Sequence, residues 1–242
     1  MKSILKLATL IVSTFALVSF LRAGPTAADV GDADSFGHAS LYMGAASGFV
    51  QLQPTCSPSP TPVPPATAND NQCFVLAPAP TSTHFDAEDI CRIKLPKKAT
   101  RTIIYPVLNF FVGYQLQNST GVSQPHGVFF FVGSLTIESD ALIGVNDPNT
   151  GDPLNGKLTG QFPYTYRDDR SMNDGDRQRL RMTLVRAGNA GLNKANLVAQ
   201  GFSQTVVDNL FAGPMTIRMS ITGDAQLVTD ATITGNMRLF GD

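Results

Sequence analysis

The chain has 242 residues, with 18 basic and 19 acidic side chains and a formal charge of −1, a balance that excludes the basic footprint required by nucleic acids and anionic membrane surfaces. Only two of the acids, Glu88 and Glu138, are glutamates; there are 21 Gly, 16 Pro and no Trp. Asp, Gly and Pro belong to turns and caps and Glu to helix interiors, so the composition excludes a mainly helical protein.

Residues 1–28 read as a secretory signal peptide. Lys2 and Lys6 precede an apolar run from Leu7 to Phe20, and small-residue cleavage options follow near Ala23 and Ala28. A run of about 14 residues is short of the roughly 20 that span a bilayer, so cleavage is expected rather than retention as an anchor. The mature chain, 29–242, keeps 15 basic against 19 acidic residues. It is expected to be secreted, periplasmic or extracellular, as a single β-sandwich domain.

Asp29–Gly37 is a loop by composition. Ser40–Met43 and Phe49–Gln53 read as two short strands, the second with Val50 and Leu52 alternating against Gln51 and Gln53. The segment 54–80 holds eight of the sixteen prolines and is expected as an extended surface loop. Phe85–Arg92 reads as one helical turn capped by Asp86. Thr102–Gln117 reads as a long strand broken or bulged at Pro106 and Gly113, with Tyr114 and Leu116 inward. Asn118–Gly121 turns the chain, and Val128–Val132, continuously apolar, reads as a central strand covered on both faces. After a turn at Asn146–Pro153, Phe162, Tyr164 and Tyr166 share one strand face. Asn173–Asp176 then closes a hairpin into Arg177–Arg186, where Leu180, Met182 and Leu184 alternate with Arg179, Arg181 and Thr183. Asn193 and Ser203 cap two short helices, 194–200 and 204–211. Met215–Thr222 and Ala231–Leu239 are the last strands. The total, about eight to ten strands, predicts an all-β, mainly antiparallel fold: a two-sheet, jelly-roll-like sandwich with a short helical hairpin inserted near the C-terminus.

Chemical motifs are sparse. His38, His84 and His126 lack any spacing that would place two imidazoles on one metal. Gly44–Gly48 misplaces its serine for a nucleophile elbow. Glu88 and Glu138, with the aspartates, are the available glycosidase carboxylates, and Tyr42, Tyr164 and Tyr166 the aromatics that could stack on sugar. Two clusters are weak calcium candidates: Asp29, Asp32 and Asp34, and Asp147, Asn149 and Asp152. The second is also what a β-turn looks like. The arginine row Arg177, Arg179 and Arg181, with Arg167 and Arg170 across the expected hairpin, reads as a solvated face neutralised by interleaved aspartates, with an acidic glycan or polymer as the alternative ligand. Asn118-Ser119-Thr120 matches a glycosylation acceptor, a frequent chance match. Three cysteines allow three single bridges; a bond between Cys56 and Cys73, which bracket the proline-rich loop, is expected, with Cys91 a packed thiol.

Asp29–Gly37 (D-V-G-D-A-D-S-F-G), the two-cysteine loop that follows, and Gly235–Asp242 (G-N-M-R-L-F-G-D) resemble a group of secreted bacterial β-rich proteins to which no activity is attached. The resemblance implies export and a shared fold, and a residue other than cysteine at position 91, which again pairs Cys56 with Cys73. The functional expectation is an exported, non-enzymatic sandwich without a required cofactor. It acts by surface contact on an envelope or extracellular protein or polymer, with no nucleic-acid partner and no membrane-spanning segment in the mature chain. Two alternatives are carried beside it: a filament or surface-layer subunit that self-assembles by strand addition, and a carbohydrate- or calcium-dependent binding module.

Overall fold

Apolar and polar residues alternate along Met215–Gln226 and again along Val228–Gly241, and only an extended chain, whose side chains point to opposite sides in turn, can bury such a set. The computed structural model describes residues 41–56, 71–187 and 191–242. Within them this rule builds ten strands: β1 (Leu41–Gln53), β2 (Asn71–Val75), β3 (Thr83–Leu95), β4 (Ile103–Gln117), β5 (Gln124–Glu138), β6 (Lys157–Met172), β7 (Arg177–Ala187), β8 (Leu192–Asn193), β9 (Met215–Gln226) and β10 (Val228–Gly241). Helices α1 (Lys194–Ala199) and α2 (Gln204–Ala212) lie between β8 and β9. All belong to one compact unit, Ser40–Asp242. The expected leader, the loop with Asp29, Asp32 and Asp34, His38, and 57–70 of the proline-rich segment lie outside the described residues.

Two sheets face each other. One has the order β2-β1-β10-β4-β7, with β8 also on β4; the other is β3-β9-β5-β6. Setting aside short β2 and β8, the first long strand lies beside the eighth, the third beside the sixth, the second beside the seventh and the fourth beside the fifth. That is a jelly roll, as expected, with the helical hairpin inserted before the last two strands. Leu227 alone carries the chain from β9 to β10 across the sheets; its left-handed backbone (φ 58°) is held by Gln117 N–H donating to its carbonyl at 2.8 Å.

Several local expectations give way to the sheets. The two short strands at the start are one, β1, because its pairing with β10 continues after a single register shift between Tyr42 and Gly44. Phe85–Arg92 is not a helical turn but the middle of β3, whose ladder with β9 is interrupted between Ala87 and Cys91. A bulge at Asp89 (φ 56°) lets Ile90 and Cys91 both be buried, and so imitates helical spacing. β4 runs unbroken through Pro106 and Gly113 in register with β10. Pro106 falls in the gap between the ladders of β4 with β7, which reaches Val107, and with β8, which reaches Ile104, so its missing N–H is tolerated. Val128–Val132 is central, but only Phe129 and Phe131 are fully buried; Val128, Phe130 and Val132 are half-buried on the outer side. The turn at Asn173–Asp176 closes no hairpin: β6 pairs with β5 and β7 with β4. Finally, the end of the proline-rich segment forms β2, parallel to Phe49–Gln53. Cys73 there is bonded to Cys56, with Cα atoms 5.8 Å apart, and Cys91 is buried, outside that bond.

The space between the sheets is filled by rings. Tyr114 stacks on Phe129 at 4.3 Å and Phe110 meets Phe131 edge-on at 5.6 Å between centroids, and all four are fully buried. Gly133 of β5 faces Phe110; a Cβ there would enter the ring, so the absence of a side chain on this central strand is what admits the phenyl group. The helical hairpin contributes Leu197, Val207, Leu210 and Phe211 to the same core. Asn193 and Ser203 cap its helices by accepting from Asn196 N and Val206 N. With the interior packed, contact with other molecules falls to the outer faces and the loops.

Candidate functional site

Most candidates from the sequence are dispersed and tied to neighbours. His84 Nδ1 lies 3.0 Å from Asp224 and His126 Nδ1 2.9 Å from Asp169, with imidazoles 67% and 62% exposed. Asp169 also accepts from Arg167 (2.6 Å), and first that bond, then His126, holds its carboxyl below the usual carboxylate range. Asp147, Asn149 and Asp152 form a self-bonded turn: Asp147 Oδ1 accepts from Asn149 N at 2.8 Å and its backbone N donates to Asp152 O at 2.8 Å. Among the described residues no group of three or more His, Cys, Asp and Glu gathers as metal ligands. Asn118 is fully buried and its Nδ2 donates to Val122 O (2.8 Å) and Met172 O (3.0 Å), so both amide hydrogens are engaged within the fold. No helix among the described residues is long and apolar enough to cross a membrane.

Tyr164 and Tyr166 point inward, against the core. Tyr166 joins a polar link between the sheets that sequence reading missed. Tyr114 of β4 donates to Asp168 of β6 (2.5 Å) and meets the Tyr166 hydroxyl at 2.8 Å; Asp168 accepts from Arg170 Nε at 2.8 Å, and Arg170 reaches Gln178 of β7. Burial, then the bond to Asp168, pushes the Tyr114 phenol far above its ordinary value, so it is a permanent donor. This network joins β6 to β4 and β7 on the side where the chain crosses between sheets.

The outer face of the four-stranded sheet is a polar groove of about 440 Å³. Its floor is hydroxyls, Ser134, Thr136, Ser220 and Thr222, and its walls are Asp86 and Glu88 on one side and Lys157 and Thr159 on the other. Arg218 fastens it, donating through Nε to Glu138 at 2.7 Å and through Nη1 to Asp89 at 2.5 Å, while Arg92 meets the same Asp89 oxygen at 3.0 Å. Burial works to lower the Arg218 pKa, and the bonds to Glu138 and Asp89 outweigh it, raising it. Both glutamates are therefore on this face, Glu138 already neutralised.

The outer face of the six-stranded sheet is different in kind. Register places Tyr42, Phe240 and Tyr105 on one rung across β1, β10 and β4, and Phe49, Thr234 and Phe111 on another. Tyr42 is 63% and Phe111 52% exposed. Phe111, on a central strand, separates two depressions of about 270 and 440 Å³; Ser47, Asn109, Asn236 and Arg238 line one, and Arg181, Thr183, Thr232 and Thr234 the other. Among the described residues, the strands of this face carry four outward arginines and one acid. Arg177 donates to Gln115 (2.7 Å), Arg179 is paired with Asp230 (3.2 Å), and Arg181 and Arg238 have no acidic partner among the described residues. The disulfide adjoins it, since Cys73 pairs with Gln51 at the β1 edge. At its far end Asp242 accepts from Thr100 Oγ1 (2.6 Å), Thr102 N (2.9 Å) and Arg101 N (3.1 Å), clasping β10 to the loop before β4. Burial opposes ionisation of Asp242, but these bonds prevail and hold its carboxyl well below the usual carboxylate range.

No family model matches the chain, and no curated protein sequence matches it. Among solved structures it is similar to infectious bursal disease virus of the Gx strain (TM-score 0.22, 10% identity, 69% of this chain and 29% of that one). It is also similar to that virus's VP2 subviral particle (TM-score 0.22, 11% identity, 69% and 29%) and to its T13 particle (TM-score 0.20, 13% identity, 69% and 27%). The chain spans less than a third of those chains' length, and overlap this shallow transfers neither a role nor a partner.

Proposed function

We propose that the protein is an exported, non-enzymatic β-sandwich that acts by surface contact, and that the outer face of its six-stranded sheet is the contact surface. One observation carries this reading: Phe111 stands half in water on a central strand, between two depressions, beside Arg181 and Arg238, which have no acidic partner among the described residues. Phe111 shares this face with Tyr42 and Val185, 63% and 59% exposed, and a patch of exposed apolar side chains rimmed by polar groups marks an interaction site. The Cys56–Cys73 bond and the expected leader support an oxidising destination, periplasmic or extracellular. The dispersed, water-exposed His84 and His126, each on a single carboxylate, support contact rather than turnover. The test is capture from a native cell envelope by the purified protein, alongside panels of glycoside, ester and peptide substrates. A captured component that is lost with Phe111→Ser is expected. Turnover abolished by a single Asp or His substitution would overturn the reading.

A second reading, a subunit assembling by strand addition, is favoured by the edge of β1. β2 covers only Phe49–Gln53, so Leu41–Gly48 has β10 on one flank and no described strand on the other. Electron microscopy and size exclusion decide it; a monomer at high concentration rejects assembly.

A further inference from the structure

We propose that the contact surface is a platform for a linear anionic polysaccharide, laid along β10 and β4 from the Phe111 rung to the Tyr42 rung. This rests on the reading above and names the ligand class of the same face. The two aromatic rungs are six residues apart on β10, Thr234 to Phe240, or about 20 Å at the rise of an antiparallel strand. Within the first rung, Phe49 and Phe111 are two strands apart, about 10 Å. Rings so placed offer flat apolar faces at intervals along an extended ligand, as the C–H faces of successive sugar rings require. Between and beside the rings stand the groups that read sugar hydroxyls: the carboxamides of Asn109 and Asn236 and the hydroxyls of Ser47 and Thr234.

Charge selects the class of sugar. Among the described residues, four arginines face one aspartate along the strands of this sheet, in a chain whose total charge is −1; that aspartate, Asp230, is taken by Arg179, and Asp242, just beyond β10, by Thr100 and Thr102. Arg181 and Arg238 flank Phe111, one in each depression. A guanidinium with no acidic partner among the described residues is matched by a uronate carboxylate on the ligand, held in fork geometry. Two copies of the chain packed face to face would bring these arginines together, and the core of a homodimer interface is depleted of charge. Single-stranded nucleic acid also stacks on aromatics, but it calls for a continuous basic groove rather than a flat sheet with separated cations.

The experiment titrates the purified full chain with three uronate polymers, polygalacturonate, alginate and hyaluronate, at low and high salt. Fully methyl-esterified polygalacturonate, with the same backbone and no charge, and oligo(dT) are run beside them. Binding to at least one uronate, weakened at least about tenfold by esterification and about as much by Phe111→Ala or Arg238→Gln, is the expected result. Ser220→Ala, on the opposite face, is expected to change nothing. Melting curves show that the variants fold, and the two chemically different substitutions guard against misfolding of one. No binding to any uronate, equal binding to the ester, indifference to both substitutions, or preference for oligo(dT) would each overturn the ligand class. If the uronates fail while envelope capture still depends on Phe111, the ligand class is wrong and the contact surface stands. If capture is also indifferent to Phe111, the surface itself is wrong.

Discussion

The two outer faces of the sandwich are made by the same alternation and have opposite electrostatic economies. On the four-stranded sheet, Arg218 and Arg92 are bonded to Asp89 and Glu138, and the groove between is floored with short hydroxyls. On the six-stranded sheet, Arg181 and Arg238 have no acidic partner among the described residues, and Phe111 and Tyr42 stand in water. A face whose arginines are all held by acids of its own sheet offers a partner no unmatched guanidinium, and those arginines report on stability. A face with unmatched cations and uncovered rings reports on binding. Substitutions on the two faces should therefore separate: folding energy without affinity on one side, affinity without folding energy on the other.

The largest effect is expected in the layer that both faces share. Asp168→Ala removes the shared acceptor of Tyr114 and Arg170, leaving the buried phenol only Tyr166 and the partly exposed guanidinium only Gln178, at a cost of about 3 kcal/mol. Urea unfolding checks it, and both faces should be lost together. Next is Arg218→Met, which keeps the aliphatic stem but leaves the Asp89 carboxylate to Arg92 alone and takes from Glu138 its guanidinium. One Asp89 oxygen, Oδ1, is already buried without a partner. About 2 kcal/mol of destabilisation is expected, given the partial exposure of the pair, with capture by the other face unchanged. A stable Arg218→Met variant that loses capture would reverse the assignment of the faces.

The separation was partly legible in the sequence. Jelly-roll class, the last two strands, both helix caps and the Cys56–Cys73 bond follow from alternation, cap residues and loop bracketing, which are local. The orientation of Phe111 does not: the bulge expected at Gly113 would reverse the parity carried back from Tyr114, and only the unbroken ladder with β10 turns Phe111 outward. What sequence could not supply was partners. The rung that joins Phe49 to Phe111 depends on β10, contributed more than a hundred residues later, and register between distant strands has no local signature. The same holds for Asp168 beneath Tyr114. Phe85–Arg92 misled for another reason, since a bulge adds residues to one strand and shifts the apolar phase toward that of a helix. The Asn173–Asp176 turn had hairpin chemistry, and only the sheets decide that it crosses between layers.

A smaller effect is expected at the foot of the binding face. Asp242→Asn weakens the clasp on 100–103 that holds Phe240 beside Tyr105, and about 1 kcal/mol is expected at neutral pH, because the carboxylate is partly exposed. Its folded pKa is depressed below the unfolded value of about 3.9, so the charge contributes stability above that value and the contribution is lost as pH falls toward the folded pKa. The gap between wild type and Asp242→Asn should be full at pH 6 and narrow progressively as pH falls below about 4. A gap that widens on acidification would contradict the clasp.

The smallest change in stability belongs to the residue with the most to say about function. Phe111 is 52% exposed, so replacing it by Thr, which suits a strand, gives up only part of the apolar burial of a phenyl ring and is expected to cost under about 1 kcal/mol. Were the ring there to support the sheet, its loss would resemble that of Phe110, two kilocalories or more away at about 3–5 kcal/mol for Phe→Ala in a packed core. Parallel melts of Phe111→Thr and Phe110→Ala measure the difference directly. Near-native stability in the first, together with lost capture, means that the side chain is kept at an energetic disadvantage in water because something outside the fold covers it. Equal destabilisation in both would make Phe111 a structural residue and remove the main distinction between the two faces.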